Sequence, residues 1–165
     1  MNMLRFLKHA FSSGLKTRLL FPKKSLKRIK EAVANSENKH RGEIRVCIEK
    51  SLTPLQILQG VKGRDRAVEM FSELRVWDTE ENNGVLIYLL IADRDIEILA
   101  DRGIMRDAPA NFWNEICGEI ENNFRKKKFE EGILQAIDHI EKLLIEKYPK
   151  NGHDANELPD KPHMI

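Results

Sequence analysis

The chain has 165 residues, of which 41% are hydrophobic and 33% charged, proportions typical of one globular domain. A chain of this length buries enough surface to fold without disulfides or a structural metal. No stretch approaches the roughly 20 apolar residues of a membrane-spanning helix, and the first residues lack the apolar segment of a signal peptide. Together with two isolated cysteines, Cys47 and Cys117, these features predict a cytoplasmic protein.

The net charge of +2 conceals an uneven distribution along the chain. The first 30 residues contain nine basic side chains and no acidic one, whereas the remaining 135 residues carry 19 basic and 26 acidic side chains. The sequence therefore predicts a basic head on an acidic body. Such a head favours anionic partners more strongly than the net charge suggests.

Residues 1–22 are predicted to form a basic amphipathic helix that weakens near Gly14 and ends at Pro22. Two interpretations of this helix remain open: it binds an anionic membrane surface or a protein partner, or it packs its apolar stripe on the protein's own core. The apolar stripe consists of Met3, Leu4, Leu7, Phe11, Leu15, Leu19 and Leu20. The basic residues expected to contact a membrane or partner are Arg5, Lys8, Lys16, Arg18, Lys23 and Lys24.

Three further elements follow the head. A helix is predicted over residues 25–38, with Ser25 as its N-cap. Residues 42–50 alternate between apolar and polar, which predicts a strand. The pair Thr53-Pro54 is a typical helix start, and we expect this helix to break at Gly60 and Gly63.

The second half of the chain is predicted to contain a hairpin and two helices. A continuous apolar run over residues 85–92 predicts a central strand covered on both faces, and residues 96–100 alternate as its antiparallel partner. The first helix is expected to be capped at or just after Asp107, with Pro109 in its first turn. The second is expected to begin at Phe129 and to stop at Pro149.

These elements predict an α/β fold, a three-layer α/β/α sandwich with a small mixed sheet. The first two strands are joined through a helix, which favours a parallel pair with a right-handed crossover. The predicted organisation is a head over residues 1–22, the α/β/α domain over residues 23–149, and an irregular tail over residues 150–165.

The only binding chemistry that the sequence suggests is a metal site built from oxygen ligands. Glycine-rich phosphate loops and nucleophile elbows are absent from the sequence, and no organic cofactor is expected. Glu43, Asp78, Asn83 and Asp101 lie next to predicted strand ends, where Asn83 and Asp101 are expected to share one end of the sheet. Such ligands suit Ca²⁺ or Mg²⁺, although ordinary turns and strand exits use the same residue types.

Most of the chain resembles the TPM domain family, and in particular a bacterial cytoplasmic subgroup without signal peptide or membrane span. The resemblance rests on a helix rich in Ala and Phe, on Asn-Gly-Val-Leu-Ile, on a hairpin ending in Asp-x-Gly-Ile and on the starts of the last helices. The matching segments are residues 66–104, Trp113, residues 129–132, residues 40–46 and residues 156–160.

The resemblance implies an α/β/α sandwich, in agreement with the residue patterns. It also implies that some relatives bind divalent cations and that others are phosphatase-like proteins of the thylakoid lumen. Carried over by motif position, the candidate cation ligands are Glu43, Asp78, Asn83 and Asp101. Arg75 and Arg102 are the candidate anion contacts.

Two functions from different classes follow from these observations. The first is an accessory module that binds divalent cations and docks to a protein partner or to an anionic membrane surface, at the periphery of the inner membrane. The alternative is a divalent-cation-dependent phosphatase acting on phosphoesters. The acidic body disfavours nucleic acid as a partner.

Overall fold

The computed structural model describes residues 3–12, 14–152 and 155–165, apart from the side chain of Lys16. Its helices and strands alternate in the manner of an α/β protein, and most of them are where the sequence patterns place them. The helices are α1 (Met3–Ala10), α2 (Gly14–Leu20), α3 (Lys23–Glu37), α4 (Pro54–Leu58), α5 (Gly63–Glu73), α6 (Arg102–Asp107), α7 (Phe112–Arg125) and α8 (Phe129–Lys147). The strands are β1 (Ile44–Glu49), β2 (Val85–Leu90), β3 (Asp95–Ala100) and β4 (His163–Met164).

The four strands form one mixed sheet in the order β3-β2-β1-β4. β1 and β2 are parallel, with Ile44 opposite Val85, and β2 and β3 form the predicted antiparallel hairpin. The predicted parallel pair, with its connection through helices α4 and α5, is therefore confirmed. Parallel pairs require such a crossover, because their ends lie too far apart for a tight turn.

Helices cover both faces of the sheet, which confirms the predicted sandwich. Alternate side chains of β2 enter two separate cores: Val85 and Ile87 join the core under α3, α7 and α8, whereas Leu86 and Tyr88 join the core under α4 and α5. Each side chain of β2 is fully buried. Burying an aliphatic side chain of this size contributes about 1.5–3 kcal/mol, so the continuous apolar run specifies the central position of this strand.

The N-terminal segment forms two helices rather than one continuous helix. α1 ends at Ala10 and α2 begins at Gly14, while Ser13 lies outside the described residues. α3 begins at Lys23, directly after Pro22, which is extended. Ser25 is therefore inside the helix instead of at its N-cap, and its hydroxyl hydrogen-bonds the Glu130 carboxylate.

The segment between β3 and α7 contains an additional short helix. Asp101 directly follows β3 and caps α6, because its carboxylate accepts a hydrogen bond from the Arg102 amide. α7 begins only after Asn111, which adopts a left-handed backbone. The expectation of Pro109 in the first turn of this helix is wrong, because α6 occupies the residues up to Asp107 and delays the start of α7.

The tail contributes a fourth strand that the sequence pattern does not reveal. His163 and Met164 pair in parallel with Cys47 and Ile48, which covers the outer edge of β1. The Arg45 guanidinium donates hydrogen bonds to the carbonyl groups of residues 159 and 161. These contacts join residues more than 100 positions apart, so no local pattern signals them.

Candidate functional site

The N-terminal helices expose a stripe of large apolar side chains. Their exposed fractions range from 44% at Leu7 to 81% at Phe11. Six of the seven residues of the predicted stripe are exposed, namely Met3, Leu4, Leu7, Phe11, Leu15 and Leu19, whereas the seventh, Leu20, is partly buried against the core. Monomeric soluble domains seldom expose so many large apolar residues in one short segment, and such patches mark interaction surfaces. We call the six exposed residues the apolar stripe.

The opposite face of α1 is fixed to the body by a polar latch. Asp93, in the β2–β3 turn, accepts hydrogen bonds from the Arg5 guanidinium at 2.8 Å and lies 2.9 Å from His9 Nε2. His9 is buried, and its Nδ1 accepts a hydrogen bond from the Leu52 amide at 2.9 Å. Although burial opposes it, hydrogen bonding by Arg5 and the proximity of the His9 ring hold the pKa of Asp93 below its usual value. The latch orients α1 so that its apolar stripe faces solvent.

α2 is connected to the body at its C-terminal end. Phe21 directly follows this helix and is 1% exposed, and its ring lies 6.4 Å from that of Phe124 and 6.2 Å from that of Phe129. Aromatic rings at such separations pack favourably at an edge-to-face or tilted angle. The segment is thus anchored at α1 and at Phe21, while the apolar stripe between and around these anchors is exposed.

The basic side chains proposed from the sequence differ in their environments. Arg5 is committed to the latch. Lys8, Arg18, Lys23 and Lys24 are exposed and form no ion pair within the described part of the chain. The side chain of Lys16 lies outside the described residues. At least four cationic groups therefore accompany the apolar stripe without an internal counter-charge.

Three of the four candidate cation ligands lie at one end of the sheet. The Val85 amide donates to the carbonyl oxygen of Glu43, and the Asp101 amide donates to that of Gly84, next to Asn83. This is the amino end of β1 and β2, opposite to the carboxyl end at which open α/β sheets usually bind ligands. Asp78 is exposed and pairs with Arg75 instead.

The oxygen atoms at this sheet end differ in whether they already accept hydrogen bonds. The Glu43 carboxylate accepts hydrogen bonds from the amides of Glu157 and Leu158 at 3.0 and 3.1 Å. Asn83 Nδ2 donates to the Arg41 carbonyl, which leaves Oδ1 buried without a hydrogen bond in the described structure. Asp101 Oδ2 is likewise buried and has no hydrogen-bond partner there. Two oxygens of the type that Ca²⁺ and Mg²⁺ prefer are thus available.

Other features of this sheet end limit what it can bind. Within residues 3–12, 14–152 and 155–165, no three His, Cys, Asp or Glu side chains are grouped to hold a metal ion. A cation would therefore depend on Asn83, on backbone oxygens and on water in addition to Asp101. Arg102, one candidate anion contact, is exposed, and the other, Arg75, is paired with Asp78.

Sequence patterns do not single out Glu37, which lies beside this sheet end. Burial, and next the negative charge of Glu43, raise the pKa of Glu37 to about 9. One of its oxygens accepts a hydrogen bond from the Ile44 amide. In the sequence, Glu37 is one polar residue near the end of a predicted helix, and only the fold brings it against β1 and the tail.

The fold and these surfaces define a class: an α/β/α sandwich with a mixed sheet, whose helical N-terminal segment exposes an apolar and basic face. The family model described as TPM domain matches residues 17–143. The chain belongs to the TPM domain family. Among the described residues, no helix is long and apolar enough to cross a membrane.

The solved structures that are similar to this chain include two that illustrate the match. The NMR structure of the BA42 protein from the psychrophilic bacterium Bizionia argentinensis matches with a TM-score of 0.76 and 29% identity, over 86% of this chain and 93% of that one. The N-terminal domain of a protein from P. gingivalis matches with a TM-score of 0.59 and 15% identity, over 81% and 83% of the two chains. The second likeness concerns the fold alone. No curated protein matches the chain.

Proposed function

We propose that the protein is an accessory module that docks to an anionic membrane surface through α1 and α2. The observation that carries this proposal is the apolar stripe, which is exposed next to basic side chains without internal counter-charges. An interfacial helix combines these same two features. Several unpaired lysines are less typical of a surface that binds a folded protein partner, because the cores of protein–protein interfaces are depleted of lysine.

The two features supply free energy in different ways. An aliphatic or aromatic side chain that leaves water contributes about 1.5–3 kcal/mol when fully buried. A Lys or Arg near an anionic leaflet contributes about 1 kcal/mol, and this contribution falls off within a Debye length. Stable attachment generally needs two such signals, and the N-terminal helices provide both.

Vesicle binding of the whole chain tests this proposal. We expect co-sedimentation with vesicles that contain phosphatidylglycerol and weaker binding to vesicles of phosphatidylcholine alone. Phe11→Ser removes the most exposed apolar side chain and should weaken binding about tenfold, by the transfer free energy of its ring. Trp77→Ser, which removes an exposed aromatic residue of the body, is the matched control. Absence of binding to anionic vesicles, or equal effects of the two variants, overturns the proposal.

We also propose that the amino end of the sheet binds a divalent cation through Asp101 Oδ2 and Asn83 Oδ1, with Glu43 beside them. The two buried oxygens without hydrogen bonds support this second function. If the protein is a phosphatase, as some relatives are implied to be, the cation would supply the Lewis acid for phosphoester hydrolysis. The residues of this chain would then hold the ion and orient its ligands.

Titration with Ca²⁺ and Mg²⁺, followed by NMR, tests the cation site. Amide shifts should gather at residues 82–84 and 101–103, and Asp101→Asn should abolish them while preserving the cap, because Asn caps helices as well as Asp does. Asp138→Asn, at an exposed ion pair on α8, is the control. Diffuse shifts that survive Asp101→Asn contradict the site. Hydrolysis of a generic phosphoester that is indifferent to Asp101→Asn and to chelator contradicts the phosphatase alternative.

A further inference from the structure

A cavity of about 350 Å³ lies at the carboxyl end of β1, beneath α1. It is lined mainly by apolar side chains contributed by α1, by the β1–α4 connection, by α4 and by the last residue of the chain. These side chains are Phe6, Ala10, Leu52, Pro54, Ile57 and Ile165. A largely apolar cavity in this size range is typical of a small-molecule site.

The position of the cavity in the fold also favours a ligand. From the end of β1 the chain leaves through α4 towards β2 on one side, while β4 lies on the other side of β1. Open α/β sheets bind their ligands outside the carboxyl ends of their strands, and this cavity lies at that end of β1. The candidate cation residues occupy the opposite end of the same strands, so the two sites are distinct.

One cationic side chain of the cavity wall has no partner. Lys50 is half-buried, and its ammonium group forms no ion pair or hydrogen bond within the described residues. Asp93, the carboxylate of the latch, is already paired with Arg5 and His9. His9 Nδ1 accepts a hydrogen bond from the Leu52 amide, and Nε2 lies 2.9 Å from Asp93 Oδ1, although it forms no hydrogen bond within the described residues. An ammonium group without an internal counter-charge can pair with a bound anion, so Lys50 is the group of the cavity lining at which an anion would bind.

We propose that this cavity binds an alkyl carboxylate, with the chain among the apolar side chains and the carboxylate at Lys50. At roughly 30 Å³ for each water-sized group, the volume accommodates about twelve non-hydrogen atoms, the size of decanoate. The site binds the free acid in solution, independently of membrane docking and of any cation. Failure of either proposed function therefore leaves it standing, and its own failure leaves them standing.

A chain-length series measured by calorimetry on the full chain tests the proposal. From hexanoate to decanoate, affinity should rise about fourfold for each added methylene, since each one buried contributes about 0.8 kcal/mol. Beyond decanoate the affinity should level off, because the added carbons extend past the lining of the cavity. Methyl decanoate keeps the chain but lacks the charge, and it should bind about tenfold more weakly. Affinity that rises without a plateau indicates micelle-like adsorption and overturns the proposal.

Matched variants test the two halves of the site. Lys50→Met should weaken decanoate binding about tenfold, whereas Lys62→Met, at an exposed lysine outside this cavity, should not. Ala10→Trp should block the cavity, whereas Ala110→Trp, at another exposed alanine, should leave binding unchanged. If both members of either pair behave alike in folded protein, the assignment is wrong.

Reversing the charge at Lys50 tests the same site without Ala10→Trp, in case that variant does not fold. Lys50→Glu should lose decanoate and gain decyltrimethylammonium, which has the same chain and the opposite charge. A Lys50→Glu protein that still binds decanoate, or a wild-type protein that shows no saturable binding of decanoate at all, overturns the proposal.

Discussion

Arg66 shows most clearly how single side chains determine the stability of this fold. Its guanidinium lies between α5 and β1 and donates to the buried Glu49 carboxylate at 2.9 Å. The Tyr88 hydroxyl donates to the same carboxylate at 2.8 Å. Each member of this network is buried between the sheet and its helical layer, so removal of Arg66 leaves the Glu49 carboxylate without its cation.

We expect Arg66→Met to lower the free energy of unfolding by about 3–5 kcal/mol, because it leaves the Glu49 carboxylate buried without its cation. Urea denaturation at neutral pH measures this loss. The matched control is Arg64→Met, which removes an exposed arginine whose ion pair with Glu97 lies near the surface and contributes less than about 1 kcal/mol. Similar losses from both variants would contradict the importance of the buried network.

Glu37 predicts how stability depends on pH. Its pKa rises from 4.5 to about 9 in the folded protein, first because of burial. Between these values the folded state holds a proton that the unfolded state has lost, so this group's contribution to stability falls as pH rises through that window. Glu37→Gln, which stays neutral, should remove this dependence and stabilise the protein at pH 8. Urea denaturation at pH 5, 7 and 9 measures it.

Glu121→Gln is the control for the pH prediction, because it removes an exposed carboxylate paired with Arg125. It should leave the slope of stability against pH unchanged. A slope that survives Glu37→Gln would show that other groups cause it. His40 cannot cause such a slope, because burial lowers its pKa to about 4. Its neutral form stabilises the fold above about pH 6.5 and loses that effect as pH falls, so its contribution rises with pH, opposite to that of Glu37.

At the scale of elements, α4 begins where local chemistry requires it to begin. The Thr53 hydroxyl accepts a hydrogen bond from the Gln56 amide, and the Gln56 side chain accepts one from the Thr53 amide. This capping box satisfies two helix-end donors at once. Thr53→Ala should therefore cost about 1 kcal/mol in urea denaturation, whereas Thr53→Ser should cost much less. Equal effects of the two substitutions would show that the hydroxyl does not stabilise the helix.

The latch predicts how α1 is held against the body. Asp93→Asn weakens the attraction to Arg5 and His9 and should accelerate proteolysis between α1 and α2 severalfold, with the body still folded by circular dichroism. Asp138→Asn, at an exposed ion pair of α8, should not change the cleavage rate. Unchanged cleavage in Asp93→Asn would mean that apolar contacts such as those of Phe6 hold the helix.

The elements that could be predicted from the sequence are those with local signals. β2 is a continuous apolar run, α4 begins with Thr53-Pro54, and the apolar spacing of α8 continues until Pro149. β4 has no such signal, because two residues make no periodic pattern and their partners lie more than 100 positions away. α6 was missed because Asp-Arg-Gly ends strands as readily as it caps helices.

The candidate sites follow the same rule: features with a local signal in the sequence could be predicted, and features made by distant residues could not. The shared sheet end of Asn83 and Asp101 follows from the antiparallel hairpin and is present in the structure, although cation binding there stays a prediction. The exposure of the apolar stripe could not be predicted, because it depends on the latch between His9, Leu52 and Asp93. The cavity at Lys50 combines three segments that are distant in the sequence, and no spacing rule joins them.

At the scale of the whole molecule, the segregation of charge should orient the protein if it docks to a membrane as proposed. The cationic head is attracted to an anionic leaflet, and the acidic body is repelled by it. α1 lies at the carboxyl end of β1, near Lys50 and Leu52, whereas α6 lies at the opposite end of that strand. Docking should therefore present α1 and α2 to the lipid and hold the candidate cation site away from it.

Charge reversal at two places tests this orientation. Lys23→Glu together with Lys24→Glu should weaken binding to phosphatidylglycerol vesicles by at least about tenfold, since each basic residue contributes about 1 kcal/mol, and should reduce the effect of salt. Arg102→Glu together with Arg106→Glu makes the same change of charge on exposed residues of α6 and should change binding little. If both double variants lose affinity equally, the net charge of the protein governs vesicle binding, and the proposed docking through the N-terminal head is contradicted.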